Sequence, residues 1–472
     1  MWIFFLIWSI LKTFCRGFVF LIKWLISGGK KQPDLDIPPP DINVPIDLQQ
    51  DDILKKAYKS IGKEMTSGFF FFGKKSGVNI TKSEDKDEHI LIVGGSGSGK
   101  TSCIAIPSLL TWEKPVFCID IKGELYENTH KIRKKIKRFN PEVADSFGYD
   151  PFYLLGKTNN IAQETKAIAT ALIPIPPDIK DPFWLRSAQN MLTGFILHFY
   201  DLKYTFIDTM HKIQTTPIGE LIDSAYDTTK TEKAKVFLNA FRDMETKVLA
   251  GIYGELCNHI DIFATDEEII KCLSTKENIT PEDLEHGNDV FICVPQHLLG
   301  QWKNLFTLIV SQFLRHFEKR PEMTATPILF LLDEFPRLGK LDVTVEGLAT
   351  LRSKKITFCP IIQSLAQLDL IYGQFARRVI VENCRYIAIL NATDVESQEY
   401  FSKLVGTYEP IKTTHNQNYE PITNWKAGTS TARAMAEKMP IIKPEEFATL
   451  PDIVLLTPMG FTRIEKAPYY KK

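Results

Sequence analysis

The stretch HILIVGGSGSGKTSCIAI (residues 89–106) decides how the rest of this chain is read. His89–Val93 is a mostly apolar run of strand length, and GGSGSGKT (94–101) follows it with the spacing GxxxxGK[ST]. Each residue type there suits a polyphosphate. Glycines let consecutive backbone N–H groups turn inward without a Cβ in the way, and a helix starting behind the loop adds the positive end of its dipole. On this pattern Gly94, Gly95, Ser96, Gly97, Ser98 and Gly99 form a cradle that Lys100, Thr101 and Ser102 complete. Lys100 would reach the β- and γ-phosphates, and the Thr101 hydroxyl would hold Mg²⁺. The expected ligands are ATP and Mg²⁺.

A second stretch, ILFLLDEFPRLGKL (328–341), puts five apolar residues directly before Asp333 and Glu334. Such a run reads as a strand buried on both faces of a parallel sheet, and two carboxylates at its end need a cation nearby. Parallel α/β sheets hold ligands at the carboxyl ends of their strands, so the acids and the glycine loop are expected to meet there. Asp333 would hold Mg²⁺ through its water shell. Glu334, on the other side of an extended backbone, would polarise a water for in-line attack on the γ-phosphate. KITFCPIIQS (355–364) is a third strand, with Gln363 placed to read the γ-phosphate. Pro360 inside it lacks the N–H that a central strand needs, which predicts a bulge.

Composition is that of a globular protein: 44% hydrophobic, 24% charged, net charge zero over 472 residues. Contact with nucleic acid would therefore need a local basic surface. The eight cysteines are scattered without a CxxC pair, and several lie inside apolar runs such as VFCID and VFICV, which argues for buried thiols rather than zinc or disulfides.

The amino terminus reads differently. MWIFFLIWSILKTFCRGFVFLIKWLIS is apolar and aromatic except for Lys12, Arg16 and Lys23, which fall within about 40° of one another on a helical wheel. Residues 1–30 are therefore expected to form a membrane-anchoring helix, either spanning with a cationic edge or lying in the interface. Residues 31–66 begin with KQPDLDIPPPDINVPIDLQQDD, whose five prolines and six aspartates predict an extended acidic linker.

Taken in order, GGSGSGKTSCIAIPSLLTW (94–112), VFCIDIKGELYENT (116–129), DPFWLRSAQNML (181–192), LLDEFPRLGKL (331–341) with IIQSLAQLDLIYG (361–373), and KPEEFATLPDIVLLTPMG (443–460) resemble the type IV secretion coupling proteins, the TraG/TraD-type ATPases of bacterial conjugation. The resemblance implies an α/β fold, with a RecA-like P-loop NTPase core around a mainly parallel sheet. That nucleotide-binding domain would occupy 67–195 and 285–472, interrupted by an all-helical insertion over 196–284. It further implies a homo-hexameric ring on the cytoplasmic side of a bacterial cell membrane, with ATP between neighbours and an arginine supplied in trans. Arg352, in GLATLRSKK, matches that arginine best; it reads equally well as part of a solvated basic cluster with Lys354 and Lys355. Arg337 and Arg385 match less well.

The implied function is to bring relaxase-bound single-stranded DNA, the relaxosome, to type IV secretion channel proteins and to drive transfer by ATP hydrolysis. A secretion ATPase for protein effectors and a nucleotide-gated relaxosome docking receptor are the alternatives. The family usually carries two membrane helices and in some members a long carboxyl-terminal tail, neither of which this sequence matches, so substrate selection is expected of the helical insertion.

Overall fold

The computed structural model describes residues 68–176, 179–322, 325–341, 345, 347–408 and 438–470. The anchoring helix and acidic linker expected over residues 1–66 lie outside them. Among the described residues no helix is long and apolar enough to cross a membrane.

An antiparallel hairpin, β1 (Phe69–Lys75) and β2 (Val78–Ser83), leads into β3 (His89–Val93), followed by β4 (Val116–Asp120), β5 (Ile136–Phe139), β6 (Asp289–Cys293), β7 (Ile328–Leu332), β8 (Ile356–Ile362) and β9 (Cys384–Ile389). A short pair, β10 (Thr407–Tyr408) and β11 (Met439–Pro440), precedes a final hairpin of β12 (Ile453–Thr457) and β13 (Gly460–Ile464). One nine-stranded sheet runs β13-β12-β9-β3-β8-β7-β4-β6-β5. From β9 to β5 every neighbouring pair is parallel; β12 joins β9 antiparallel.

Every residue of β3, β4, β6, β7 and β8 is buried, as strands covered on both faces require. Alternate side chains sort into two cores. Ile90, Ile92, Cys118, Leu329 and Leu331 pack beneath β1 and the helix after the glycine loop. Leu91, Val93, Phe117, Phe330 and Leu332 pack with Trp302, Phe306 and Phe313 on the opposite face.

The helix after the loop, α1, opens with π-type turns over Lys100–Ala105 and continues as α-helix over Ile106–Thr111. After β4 comes the short α2 (Glu124–Thr129). Between β5 and β6 the regular elements of the described chain are helices, with one isolated bridge, Gly148–Asn278. Its long helices include α3 (Phe183–Asp201), α4 (Glu232–Arg242) and α5 (Thr246–Ile260). The expected boundary after residue 195 falls inside α3. At Gly194 an added Cβ would come within 2.7 Å of Leu238 Cδ2, so α3 and α4 pack as closely as they do because this position has no side chain. On the sheet's larger core face lie α6 (Leu299–Glu318), α7 (Leu348–Ser353), α8 (Leu365–Asn383) and α9 (Val395–Val405).

The bulge expected at Pro360 does not occur: β7 and β8 keep one register from Ile328↔Ile356 to Leu332↔Pro360. The reason lies on the other edge of β8. Gly94 N–H donates to Ile362 O across to β3, so by strand alternation the amide positions of Phe358 and Pro360 also face β3. Pairing there begins only at Ile92↔Ile361, so no ladder bond is lost at the proline. Lower down, Phe358 N–H donates to His89 Nδ1 at 3.1 Å, and His89 Nε2 lies 2.7 Å from Leu348 O. His89 thus holds the neutral tautomer with the proton on Nε2, and burial lowers its pKa to about 4. Its ring supplies the acceptor that the Phe358 amide lacks below the start of the β3–β8 ladder.

Candidate functional site

At the carboxyl ends of β3, β4 and β7 a cavity of about 640 Å³ is lined by the glycine loop from Gly95 to Ser102, by Lys122, Glu124 and Asn128, by Asp333 and Glu334, and by Tyr469 and Tyr470. The two stretches singled out in the sequence therefore do converge, more than 230 residues apart along the chain.

The loop's shape depends on particular glycines. Gly97 and Gly99 have φ of 74° and 102°, which L side chains resist, and a Cβ on Gly94 would stand 2.5 Å from Ser98 Oγ. Ser98 N–H closes a turn onto Gly95 O at 3.3 Å, and Cys103 N–H joins α1 to Gly99 O at 2.8 Å. Gly95 N–H donates to Asn391 Oδ1 at 2.6 Å, tying the loop to the segment after β9. Lys100 Nζ donates to the carbonyls of Gly94 and, at 3.2 Å, Gly95. Burial lowers the Lys100 pKa, while the charges of Glu334 and Asp333 support its ammonium form.

The acids form a compact cluster. The register Ile119↔Leu332 brings Asp120, at the end of β4, beside Asp333. Burial raises Asp333 to about 7, with Glu334 and Asp120 adding repulsion that Lys100 only partly offsets. Asp120 is raised to about 6, again by burial, although backbone N–H groups at the start of α2 support its charge. Its Oδ2 accepts from Tyr126 N–H at 2.8 Å, whereas its buried Oδ1 meets no protein donor.

Glu334 departs from the strand geometry expected of it. Its φ of 47° and ψ of 42° turn the backbone left-handed, so its carboxylate enters the same cavity as Asp333 instead of pointing away. Gln363 Nε2 donates to both Glu334 oxygens at 2.9 Å. Gln363 thus meets the site through Glu334 and is not itself on the cavity wall.

Arg352 is exposed on α7 before β8 begins, near His89, at the amino-terminal edge of the sheet and therefore at the end opposite the cavity. Within one chain it is not brought together with the loop and acids. Arg337, in the turn after Glu334, and Arg385, at the start of β9, are also exposed and line no part of the cavity.

Sequence reasoning gave no role to Asp120, Lys122, Asn128, Asn391, Tyr469 or Tyr470. For Asp120 the signal was present: VFCID ends an apolar run in acid, as ILFLLD does. For Asn391 and the tyrosines nothing local marks the position.

Two side-by-side buried carboxyls, an unpartnered buried Asp120 Oδ1, an unpartnered buried Ser98 Oγ and a glycine cradle fit a divalent cation and a polyphosphate. A family model described as type IV secretory system conjugative DNA transfer matches residues 47–472. The chain belongs to this family. The VirD4 protein of Agrobacterium fabrum is 26% identical over 426 residues, covering 84% of the chain and 62% of VirD4. The conjugal transfer protein TraG of Escherichia coli is 25% identical over 430 residues, covering 80% of the chain and 66% of TraG. The chain thus spans only 62% of the length of that VirD4 relative and 61% of the VirD4 of Rhizobium rhizogenes. Among solved structures, the unbound bacterial conjugative coupling protein TrwB superposes with a TM-score of 0.66 at 16% identity, covering 88% of this chain and 91% of that one. That likeness shows the fold, an α/β architecture around a mostly parallel sheet.

Proposed function

We propose that this member of the family is a membrane-anchored, homo-hexameric ATPase. It would recruit relaxase-bound single-stranded DNA on the cytoplasmic face of a bacterial membrane and drive it to a type IV secretion channel. The observation that carries this reading is the convergence of Lys100, Asp333 and Glu334 on one cavity. TrwB has been solved in complex with an ATP analogue and with ADP and Mg²⁺, which supports ATP and Mg²⁺ as ligands here.

In this reading the loop from Gly94 to Gly99 and Ser102 wrap the phosphates, Lys100 neutralises them, and Thr101 and Asp333 hold Mg²⁺. Mg²⁺ held there would supply positive charge to offset the negative charge that develops on the leaving phosphates. Glu334 accepts a proton from the attacking water, and Gln363 fixes the orientation of that carboxylate through its two hydrogen bonds. Because Arg352 stands far from its own chain's cavity, it would serve a neighbour's, which makes the ring the active unit. The nucleotide-binding domain would flank the helical insertion, which would contact substrate or its relaxase, while residues 31–66 would tether and 1–30 would anchor.

The test is ATPase activity of the full chain in detergent, titrated with single-stranded and duplex DNA. Stimulation by single strands that is lost in Lys100→Ala supports the motor. ATPase activity indifferent to DNA but raised by a protein partner would make the cargo a protein. Transfer between cells that persists undiminished in Glu334→Gln would leave only a docking role.

A further inference from the structure

The segment after β13 leaves the sheet edge and crosses its carboxyl end to reach the glycine loop. Three ties fix this path. Glu465 bridges Lys74; Lys466 Nζ donates to Leu390 O and Leu450 O at 3.3 and 3.0 Å; and Tyr469 N–H donates to Ser102 O at 3.0 Å. Tyr469 is held a second time by its hydroxyl, which donates to Asn128 Oδ1 at 2.8 Å. Its ring is thereby clamped between the start of α1 and the end of α2.

Tyr470 has no such clamp. Its ring stands nearly perpendicular to that of Tyr469, at 81° with centroids 5.4 Å apart, lines the cavity, and is 64% exposed. An aromatic face left bare beside a phosphate-binding loop costs apolar hydration unless something flat covers it. The loop, the acids, Lys122, Glu124 and Asn128 supply the polar lining of the cavity, and the two tyrosines supply its aromatic rings.

We infer that Tyr470 is the stacking platform for the base of the bound nucleotide, with Tyr469 as the positioning residue that carries it there. This rests on the reading of the cavity as a nucleotide site and adds the subsite for the base. Stacking on a ring face reads no donor–acceptor pattern, so the platform does not separate ATP from GTP.

The experiment compares calorimetric binding of ATP and of inorganic tripolyphosphate, both with Mg²⁺, to the full chain and its variants. Tyr470→Ala should weaken ATP about tenfold and leave tripolyphosphate unchanged, while Tyr470→Phe, which keeps the ring, should bind ATP as the wild type does. Equal loss for both ligands, or none for either, would overturn the platform. So would tighter ATP binding in Tyr470→Ala, because the tyrosine would then be a plug. If wild-type protein binds neither ligand, it is the nucleotide reading that fails.

Discussion

Asp333 allows the electrostatics of the cavity to be tested without any ligand. Its carboxyl stands at about 7 against 3.8 for an unburdened aspartate, raised by burial and by the neighbouring Glu334 and Asp120. At about 1.36 kcal/mol per unit, that gap corresponds to roughly 4 kcal/mol. The sign follows from proton binding. The folded chain holds this proton up to a higher pH than the unfolded chain, so the charge destabilises the fold fully above pH 7 and not at all below about pH 4. Asp333→Asn keeps the shape and the oxygen that accepts the Glu334 N–H while removing the charge. Without nucleotide, the variant should therefore gain up to about 4 kcal/mol over the wild type at pH 8, about 2 at pH 5.5 and nothing near pH 4. Any packing cost of the amide is the same at each pH and cancels in the difference. Urea denaturation of the full chain at the three pH values measures it. A gain that does not change with pH would refute the claim that the cavity stores a buried negative charge awaiting a cation.

Other consequences are equally specific. Gln363→Ala releases Glu334 from two 2.9 Å hydrogen bonds and should lower kcat about tenfold with KM for ATP nearly constant; a change confined to KM would place Gln363 in binding instead. Arg352→Ala should leave nucleotide affinity intact and cut hydrolysis about a thousandfold, and mixing its subunits with Lys100→Ala subunits should restore part of the activity. Failure of that rescue would remove Arg352 from the trans role. Gly94→Ala drives a Cβ to within 2.5 Å of Ser98 Oγ and 3.1 Å of Leu390 Cβ, so ATP affinity should fall at least about tenfold with circular dichroism unchanged.

What could be read from the sequence was what chemistry encodes locally. Glycine spacing, an apolar run and a lysine mark the loop without reference to the rest of the chain, and ILFLLDE marks the acid-ended strand the same way. Where the reading went astray, a tertiary fact overrode a local rule. Strand alternation sends Asp333 and Glu334 to opposite sides, but the left-handed turn at Glu334 brings both into the cavity. Pro360 argues for a bulge only if its missing N–H would have had a partner, and pairing with β3 begins one residue later. Tyr469 lies more than 360 residues from Ser102 along the chain, so no window of sequence could have joined them.

The central claim is that the glycine loop and the acids of β7 serve one metal–triphosphate. Its most direct measurement is ATP affinity with and without Mg²⁺ in wild-type and Asp333→Asn protein. Mg²⁺ should tighten ATP binding in the wild type and do so at least about tenfold less in the variant. An equal Mg²⁺ effect in both would mean that the acids stand beside the phosphates without sharing their metal.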